Sequence, residues 1–382
     1  MFGRSPLITN VSDLQDLARR RVPRMFYDYV DCGSWSERTY RDNSEALSRI
    51  SLRQRVAVDI SRRSTESTMI GQKVSMPVAL APTGLAGMQI ANGEILAARA
   101  AEKAGVPFTL STVSVCSIED VAAATGRPFW FQLYMMKDRD FMADLIGRAK
   151  AANCSALVLT LDLQVQGQRH KDLRNGLSTP PKPTLRNLIE IGRHPRWCIG
   201  MLGAKSRTFG NIVGHAPDIE DTSSMSLWVA EQFDQTLSWE DVAWVRDKWG
   251  GKLILKGIMD PGDALRAAET GADAIVVSNH GGRQLDGAPA SISALPAIVD
   301  AVADKIEIHF DSGIRSGQDV FRAIALGARG VYIGRAFMYG LGAMGEAGVT
   351  RCLEIIRREL DLTMALCGTE TIDKIGPDAL SR

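Results

Sequence analysis

Cysteine and histidine are scarce and scattered in this chain of 382 residues. No two of its six cysteines form a C-x-x-C pair, the spacing typical of zinc sites and redox motifs. Four of the five histidines also lack H-x-x-x-H or similar ligand spacing: His170, His194, His215 and His309. We therefore expect no metal site, and we interpret the cysteines as reduced, buried thiols of a cytoplasmic protein.

Long apolar runs and an excess of one charge are missing as well. No uninterrupted apolar stretch reaches the ~20 residues of a membrane-spanning helix, and the N-terminal sequence has no apolar core of a signal peptide. The 45 Lys and Arg residues nearly balance 44 Asp and Glu residues, for a net charge of +1. We expect no nucleic-acid partner and an intracellular protein that could still lie on a membrane surface.

What the sequence does contain is a rhythm of short apolar runs, each followed by a Gly, Ser, Thr or Asp cluster and then by a helical pattern. Near-continuous apolar strands alternating with helices are typical of a parallel sheet covered by helices. Eight such units predict a closed α/β fold, the (β/α)₈ TIM barrel. The predicted strands are 76–84, 106–112, 129–134, 156–162, 252–257, 273–282, 306–313 and 330–336.

Helical patterns fill the gaps between these strands and flank the barrel. Several begin on Ser or Asp and end on Gly, as helix caps do. Ahead of the barrel, Ser12 and Gln15 have capping-box spacing and predict an N-terminal helix. A last helix, ended by Gly368, carries one apolar face made of Val349, Cys352, Leu353, Ile356 and Leu360.

One interval departs from the rhythm. Residues 163–250, between the fourth and fifth strands, contain the segment STPPKPT and a Trp- and Arg-rich stretch, with no strong strand. A long insertion on the catalytic side of a barrel is usually a lid, a partner surface or a mobile loop. We predict a single domain over 1–382, with a helical segment 1–75 packed across one barrel end, a barrel over 76–368 and this long insertion after strand four.

Polar residues follow nearly every predicted strand. In a parallel barrel the carboxyl ends of all strands meet at one mouth, so these side chains should converge there. They are too many for packing alone, and we predict a ligand site. The candidates are Pro82, Thr83, Gly84, Ser111, Thr112, Gln132, Tyr134, Thr160, Asp162, Arg169, Lys256, Ser278, His280, Arg283, Asp311, Gly313, Arg315, Gly334 and Arg335.

The segment SNHGGRQLDG, residues 278–287, holds the most reactive combination. His280 can titrate near neutrality, and Asp162 is a candidate to orient its ring and stabilise an imidazolium. Arg283 suits a planar carboxylate better than a lysine would. A histidine beside two glycines and an arginine at a strand's carboxyl end favours a catalytic role, that of a base next to an anion clamp for a small carboxylic acid.

Three further cations point to a phosphorylated cofactor. The turns DSGIRSG and IGRA follow strands seven and eight, where barrels commonly hold a phosphate, and they carry Arg315 and Arg335. Their glycines alone could also serve only to turn the chain. Lys256 ends an apolar strand and must meet an anion, either a barrel carboxylate or a cofactor that is negative when reduced.

Together these stretches resemble the FMN-dependent L-2-hydroxy acid oxidase and dehydrogenase family, over the whole chain. Within that family the resemblance is strongest to the bacterial respiratory, quinone-linked L-lactate dehydrogenases. The stretches that carry it are SNHGGRQLDG, WFQLY, DSGIRSG, ALGARGVYIGRA, SLRQRV, MPVALAPTGLAGM and PFTLSTVSVCSIEDVA.

The resemblance implies FMN as cofactor and a role for each matching residue. His280 would take a substrate proton with Asp162 stabilising its charged form, and Tyr134 would bond the substrate hydroxyl. Lys256 would sit by the flavin and favour its anionic reduced ring. The substrate carboxylate would be held by Tyr29 and Arg283, with added charge from Arg169. The remaining cofactor contacts would come from Pro82, Thr83, Gly84, Ser111, Gln132, Thr160, Ser278, Asp311, Gly313, Arg315, Gly334 and Arg335.

The resemblance also bears on the electron acceptor. At the position of Gly84, oxidases of the family tend to have alanine, whereas dehydrogenases tend to have glycine. We therefore expect a dehydrogenase. With no cytochrome domain before the barrel, electrons should leave to an external acceptor, for which the resemblance implies membrane quinone. The stretch 185–209 mixes basic residues with an apolar set, which is typical of a membrane surface contact, although an ordinary lid would look similar. The apolar residues expected at that surface are Leu185, Leu188, Ile189, Trp197 and Ile199. A homotetramer, peripheral on the cytoplasmic side of the inner membrane, completes the expectation.

The implied reaction is oxidation of L-lactate to pyruvate. The alternatives are an oxidase that produces hydrogen peroxide and a dehydrogenase for a larger acid such as L-mandelate. Less favoured are an FMN-dependent isomerase and a flavin-binding scaffold without activity, because neither gives a reason for His280, Asp162 and Arg283.

Overall fold

Eight parallel strands form the centre of the protein in a computed structural model, which describes residues 7–177, 184–213, 215, 228 and 231–381. Every pair of neighbouring strands in this sheet is parallel. A bridge between Leu80 and Phe108 joins the first barrel strand to the second, so the sheet closes on itself. This is the predicted (β/α)₈ barrel, with a strand in each of the eight predicted runs.

The strands are β1 Ser67–Met69, β2 Gln72–Val74, β3 Val78–Leu80, β4 Thr109–Ser111, β5 Trp130–Tyr134, β6 Ala156–Thr160, β7 Leu253–Ile258, β8 Ala274–Val277, β9 Glu307–Phe310 and β10 Gly330–Ile333. The α-helices are α1 Val11–Arg21, α2 Arg24–Val30, α3 Arg38–Arg49, α4 Gly93–Ala104, α5 Ile118–Ala124, α6 Arg139–Ala151, α7 His170–Arg174, α8 Leu185–Gly192, α9 Pro195–Leu202, α10 Trp239–Trp249, α11 Pro261–Glu269, α12 Ser291–Val302, α13 Gly317–Ala325, α14 Arg335–Met344 and α15 Glu346–Leu366. Short 3₁₀ turns span Ala86–Met88, His280–Gly282, Ile372–Lys374 and Pro377–Ala379.

The inside of the barrel is a packed core. Large side chains from alternate strands fill it, as small barrels require. Those at most 1% exposed include Trp130, Val158, Ile254, Val276 and Tyr332. The barrel is therefore closed along its axis, and a ligand site can form only at an end.

The amino-terminal end of the barrel is closed by the antiparallel hairpin β1–β2. Met69 of this hairpin is fully buried. Its methyl carbon packs against Gly330 at the start of β10, where a Cβ on residue 330 would lie only 2.5 Å from that methyl. The backbone N–H of Ile70 donates to the Glu307 carboxylate at 2.8 Å. The hairpin thus seals the end of the barrel opposite the strands' carboxyl termini.

The N-terminal segment reaches both ends of the barrel, whereas the sequence suggested one. The hairpin covers the amino-terminal end, while the segment around α2 and α3 packs at the other. There the N–H of Ser34 donates to the Gly282 carbonyl at 2.9 Å, and the amides of Asn43 and Asn279 bond each other at 2.8 and 2.9 Å. These contacts tie the chain before the barrel to the turn that holds His280.

The predicted capping box of the first helix is wrong by two residues. Asn10 is the N-cap: its side chain accepts from the N–H of Asp13 at 2.9 Å, and the Asp13 carboxylate accepts from the N–H of Asn10. Ser12 instead lies inside the first turn, and Gln15 donates to Asp31 at 3.5 Å. Asn and Asp cap a helix at least as well as Ser and Gln, so both spacings were available.

The last helix agrees with its predicted face. It spans Glu346–Leu366, and Gly368 follows it with a φ of +68°. All five residues of the predicted face are buried against the barrel: Val349, Cys352, Leu353, Ile356 and Leu360.

The long interval after the fourth barrel strand contains α7, α8 and α9 before α10 restores the barrel rhythm. Its described part is pinned to the barrel: the buried amide of Asn211 donates to the carbonyls of Ser111 and Thr112 at 3.2 and 3.3 Å and accepts from the N–H of Ile118. The indole of Trp197 donates to the Met88 carbonyl at 3.1 Å. The STPPKPT segment falls outside the described residues except for its last threonine.

Candidate active site

One cavity opens at the carboxyl end of the barrel, and most of the predicted site residues line it. The loops after six of the eight barrel strands, together with α2 and the start of the long interval, contribute to its wall. Those lining it are Tyr29, Pro82, Thr83, Gly84, Tyr134, Thr160, Arg169, Lys256, His280, Arg283, Asp311, Gly313, Arg315, Gly334 and Arg335. Five other predicted residues, Ser111, Thr112, Gln132, Asp162 and Ser278, stand directly behind this wall and bond to residues in it or beside it.

His280 and Asp162 form a close pair. The ring nitrogen Nδ1 of His280 lies 2.9 Å from Oδ1 of Asp162. Burial tends to raise the pKa of Asp162, but the neighbouring His280 and Lys256 outweigh it, so the pKa of this carboxyl lies below its ordinary value. An ionised Asp162 holds the proton on Nδ1 and leaves Nε2 of His280 as the nitrogen that can accept one.

The backbone around this pair is shaped for it. His280 has a φ of +56° and Gly281 one of +66°, in a 3₁₀ turn where the Asn279 side chain accepts from the N–H of Gly282 at 3.1 Å. Gly257, in the neighbouring strand β7, has a φ of +103°. A Cβ on this residue would lie 2.7 Å from the carboxyl carbon of Asp162. Glycine at 257 therefore leaves the room that the Asp162 side chain occupies.

Lys256 lies beneath the cavity floor with two partners. Its ammonium is 2.9 Å from the Asp311 carboxylate and donates to the Ser278 hydroxyl at 2.8 Å. Burial lowers the pKa of Lys256, but Asp311 and Asp162 more than restore it, so the pKa lies above its ordinary value and the group stays charged. The carboxylate partner that the sequence left open is thus Asp311, and Lys256 still faces the cavity.

A second polar group runs across the ends of three neighbouring strands. The Ser111 hydroxyl donates to the Gln132 side-chain oxygen at 3.1 Å, and the Gln132 amide nitrogen donates to the Thr160 hydroxyl at 3.0 Å. All three side chains are buried. A buried, interconnected row of donors and acceptors is rigid and suits a planar polar ring laid over it.

Two arginines and a tyrosine form an anion clamp at the outer side of the cavity. The guanidinium carbons of Arg169 and Arg283 lie 5.5 and 5.0 Å from the centre of the Tyr29 ring, within the range of cation–π contact. Arg283 also donates to the Tyr29 carbonyl at 2.7 Å, which fixes its position. Within the described chain, Arg283 has no carboxylate within 4.0 Å, so its charge is open to a ligand.

Arg315 and Arg335 form a second anion site on the other side of the mouth. Each stacks on an aromatic ring, Arg335 on Tyr40 at 4.4 Å and Arg315 on Tyr339 at 5.7 Å. Among the described residues neither has a carboxylate within 4.0 Å. Burial and the like charges of Arg283 and Arg315 lower the pKa of Arg335. Two convergent, uncompensated guanidinium groups beside glycine turns fit the phosphate of FMN.

Several residues of the site were missed in the sequence, among them Asp172 and Phe233, which line the cavity, and Cys32, which lies behind its wall. Asp172 lies 3.0 Å from Arg169, Cys32 is fully buried between Asp172 and Arg283, and Phe233 packs edge-on against Tyr134 at 5.5 Å. Burial raises the pKa of Asp172 although both arginines pull it down. The i, i+3 spacing of Arg169 and Asp172 was the available signal; Cys32 and Phe233 carried none.

No group of three or more His, Cys, Asp or Glu side chains in the described ranges could hold a metal ion. A search of the same ranges also finds no helix with the length and apolarity to cross a membrane.

A TIM barrel with a His–Asp pair, a charged lysine and two separate anion sites at its mouth has the organisation of an oxidoreductase with a phosphorylated cofactor. The chain belongs to the FMN-dependent dehydrogenases, because the family model of that description matches residues 18–382. It is therefore an enzyme, and its cofactor is FMN.

Curated relatives match almost the whole chain. The L-lactate dehydrogenase of Caulobacter vibrioides (strain NA1000 / CB15N) is 47% identical over 380 residues, which cover 98% of each chain. The L-lactate dehydrogenase of Actinobacillus pleuropneumoniae serotype 5b (strain L20) is 48% identical over 376 residues, also 98% of each.

Solved structures share the fold at lower identity. The monotopic membrane protein (S)-mandelate dehydrogenase superposes with a TM-score of 0.93 at 36% identity, covering 98% of this chain and 100% of that one. Mandelate oxidase superposes with a TM-score of 0.84 at 36% identity and 98% coverage of both chains.

Proposed function

We propose that this enzyme oxidises L-lactate to pyruvate and passes the electrons to a membrane quinone. The observation that carries the reaction type is the His280–Asp162 pair, 2.9 Å apart, beside a clamp of Arg169 and Arg283 in one cavity. A base next to an anion clamp suits removal of a proton from a 2-hydroxy acid held by its carboxylate. The curated relatives at 47% and 48% identity, both named L-lactate dehydrogenase, support the choice of lactate.

Each lining residue then has a task. Arg283 and Arg169 hold the substrate carboxylate together with Tyr29. Burial raises the pKa of Tyr134, so its hydroxyl stays protonated and can donate to the substrate hydroxyl oxygen. Nε2 of His280 takes one proton from the substrate, and Asp162 stabilises the imidazolium that forms.

Bound FMN supplies the acceptor for the substrate's two electrons. The buried row of Ser111, Gln132 and Thr160, with Ser278, would hold the ring, and Lys256 would lie beside it with its positive charge. The loop residues Pro82, Thr83 and Gly84 would form the ring's outer wall. The ribityl chain and phosphate would be held by Asp311, Gly313, Arg315, Gly334 and Arg335.

A larger acid such as L-mandelate is the second candidate. It is favoured by the (S)-mandelate dehydrogenase that superposes with a TM-score of 0.93. The cavity's apolar wall, which includes Leu163, Leu177, Phe209 and Phe233, would face the substrate side chain. The higher identity of the lactate dehydrogenases supports L-lactate as the first candidate.

We further propose a dehydrogenase rather than a peroxide-producing oxidase. A Cβ on Gly84 would lie 2.7 Å from a methyl of Val113 and 3.3 Å from the Tyr29 hydroxyl, so this position is open only because it is glycine. A methyl there would displace Val113 and reshape the space next to the cofactor. The variant Gly84→Ala is therefore expected to change the rate of reoxidation in air while L-lactate still reduces the flavin.

Membrane attachment rests on one surface. We define the basic–apolar surface as the outer side of α8, α9 and the loop after them, where five large apolar side chains are 52 to 74% exposed. Trp197, expected among them from the sequence, faces inward and stacks on Phe26 at 5.2 Å. An exposed apolar face rimmed by cations suits an anionic membrane surface. Its members are Leu185, Leu188, Ile189, Ile199 and Leu202 with Arg186, Arg193, Arg196, Lys205 and Arg207.

Vesicle flotation tests this attachment. The holoenzyme should float with vesicles that contain anionic lipid and much less with neutral ones. Leu188→Glu combined with Ile199→Glu should abolish flotation, whereas Leu265→Glu, an exposed position on α11, should not. Equal flotation of the double variant would refute the surface and favour an ordinary lid.

Family resemblance also leads us to propose a homotetramer on the cytoplasmic face of the inner membrane. Light scattering of the detergent-solubilised enzyme measures the assembly. A monomer mass at working concentrations would contradict it.

The reaction is tested by anaerobic stopped-flow reduction of the flavin with L-lactate, glycolate and L-mandelate in parallel, followed by air and then by a soluble quinone. We expect fast bleaching by L-lactate, slow recovery in air and fast recovery with quinone. Fast recovery in air with peroxide would identify an oxidase. Bleaching by mandelate alone would move the substrate to the larger acid, and turnover of a prenyl diphosphate without any bleaching would identify an isomerase.

A further inference from the structure

Asp172 is a carboxylate inside a site that binds a carboxylate. It lines the cavity, its side chain is 7% exposed, and its Oδ2 lies 3.0 Å from Nε of Arg169. On the other side of Asp172, the Sγ atom of Cys32 lies 3.8 Å from Oδ1 of Asp172. The same sulfur lies 3.2 Å from a guanidinium nitrogen of Arg283. A negative charge in this place repels the substrate's own carboxylate, so its presence needs a reason.

The charges around the cavity can be counted from their partners. Asp162 pairs with the ring of His280, and Asp311 faces the Lys256 ammonium at 2.9 Å, so each of these carboxylates has a partner outside the clamp. The clamp contains two arginines, Arg169 and Arg283, and one carboxylate, Asp172. Its net charge is therefore +1, which a single substrate carboxylate neutralises.

We propose that Asp172 sets the charge selectivity of the clamp, so that the site accepts 2-hydroxy acids with one carboxylate and rejects those with a second negative charge. This inference rests on the proposed function, because it takes Arg169 and Arg283 to be the carboxylate clamp. Without Asp172 the clamp would carry a charge of +2 in a poorly hydrated site and would attract dianions. Asp172 thus acts as a specificity residue in addition to holding Arg169 in place.

Two substitutions distinguish the role of Asp172 in setting the charge of the clamp from its role in holding Arg169 in place. Asp172→Asn removes the charge but keeps an oxygen that can accept from Nε of Arg169. Asp172→Glu keeps the charge and changes the geometry. If charge is what matters, the asparagine variant changes selectivity and the glutamate variant does not.

The probes are pyruvate and oxalate, which have nearly the same shape but carry one and two negative charges. Each is titrated into the oxidised holoenzyme, and its dissociation constant is read from the change in flavin absorbance, without turnover. We expect the ratio of the oxalate dissociation constant to the pyruvate dissociation constant to fall roughly tenfold or more in Asp172→Asn. The reason is that the variant removes one negative charge that lies a few ångströms from the bound dianion. A second neutral variant, Asp172→Ser, should shift the ratio in the same direction.

Asp28→Asn is the matched control. It removes the same charge nearby, but Asp28 is bonded to Arg24 and Asn175 and does not line the cavity. The ratio of the two constants in Asp28→Asn should stay within about twofold of the native value, because Asp28 lies outside the cavity and pairs with Arg24. The ratio in Asp172→Glu should also stay within about twofold, because the negative charge is retained. FMN content and the absorbance spectrum confirm that each variant is folded.

An unchanged ratio in both neutral variants would overturn the proposal and leave Asp172 with a purely structural role, while the native enzyme's reduction by L-lactate would leave the proposed function standing. An equal shift in Asp28→Asn would also overturn it, because the effect would then be that of net charge. If neither anion perturbs the flavin of the native enzyme, the clamp itself is misassigned, and both proposals fall.

Discussion

The two ends of the barrel are built from the same eight strands but differ in chemistry. At the carboxyl end the charged side chains of Lys256, Arg283 and Arg335 line an open cavity. At the amino-terminal end a hairpin seals the barrel with the fully buried Met69. A buried charge without a partner destabilises the fold until a ligand pairs with it, whereas apolar burial stabilises the fold at all times. The comparison teaches that one end is specialised for function and the other for stability.

The largest effect that separates the two ends should come from His280→Gln. Loss of a positioned base is expected to slow flavin reduction by ~10²–10⁴-fold while FMN binding and the melting temperature stay near native values. Anaerobic stopped-flow absorbance measures the rate. His215→Gln, outside the cavity and stacked on Phe141, is the control and should reduce at the native rate. A His280→Gln enzyme reduced as fast as the native one would remove the histidine from the chemistry.

Met69→Ala should lower the stability of the protein and leave the rate of flavin reduction unchanged. The substitution empties a fully buried position in the hairpin and should lower the free energy of unfolding by about 2–5 kcal/mol. The rate of flavin reduction at a temperature where the variant is folded should be unchanged. Denaturant unfolding and the same stopped-flow assay check both halves. A variant of native stability would show that the hairpin is not part of the barrel core.

Arg315→Met should weaken FMN binding. Removing one charged donor from the second anion site is expected to raise the FMN dissociation constant roughly ten- to a hundredfold, because hydrogen bonds to charged groups are among the strongest. Titration of the apoprotein with FMN, followed by flavin fluorescence, measures it. Arg329→Met, an exposed arginine just before β10 at the sealed end, provides the comparison and should bind FMN normally. Equal affinities would place the phosphate elsewhere.

Gly257→Ala tests whether the site needs the space that this glycine leaves for the Asp162 side chain. Both this variant and Gly250→Ala place a side chain at positive φ, which costs about 1–2 kcal/mol. At Gly250 nothing lies within 4 Å of the new methyl, but at Gly257 it meets Asp162 at 2.7 Å. We expect Gly257→Ala to lose about 1–3 kcal/mol more and also to slow reduction. Equal losses, with a native rate, would mean that Asp162 can move without harm.

The smallest effect is expected at Glu307, which links the sealed end to the hairpin. Its carboxylate lies 2.8 Å from Nε2 of His309 and accepts from Ile70 at the same distance. Burial tends to raise the pKa of Glu307, but His309 and the Ile70 N–H outweigh it, so the pKa is lowered. Its stabilising contribution is therefore complete above the ordinary glutamate pKa of about 4.3 and is lost as the pH falls further, through the lowered value.

Glu307→Gln keeps an acceptor and should cost less than about 1.5 kcal/mol at pH 7. Its stability should also fall less than that of the native enzyme between pH 5 and pH 3, because the titrating group is gone. Denaturant unfolding across this range measures the difference. Identical acid sensitivity in the two proteins would show that the pKa of Glu307 is the same in the folded and unfolded chain.

Much of the fold follows from local pattern. Each barrel strand is short, apolar and followed by a turn, so its position could be predicted from a few consecutive residues. The helix caps were harder, because Asn10 with Asp13 and Ser12 with Gln15 offer the same spacing two residues apart. Only the structure, in which Asn10 and Asp13 make the reciprocal capping hydrogen bonds, shows which of the two pairs begins the helix. Within the N-terminal segment, the hairpin β1–β2 was not predicted, because it gains its burial only from the end of the barrel.

The site divides in the same way. Residues at strand ends were predictable because the parallel fold forces them to one mouth, and most of them line the cavity. Asp172 and Cys32 were missed because neither follows a strand. They come from α7 and from the chain after α2, and they meet only where those segments cross near Arg283. Trp197 was placed on the wrong side of its helix, since its mixed apolar and basic surroundings gave no clear face.

The sequence by itself determined the barrel, the mouth and the base beside an arginine, because these depend on period, turn chemistry and spacing within single β/α units. Only the tertiary structure decided which carboxylate meets Lys256, which arginines lack a partner and how much charge the clamp retains. Those outcomes depend on distances between residues that lie far apart in the chain, such as Lys256 and Asp311 or Asp172 and Arg283. Electrostatic energy falls with distance in space, and separation along the chain does not reveal that distance.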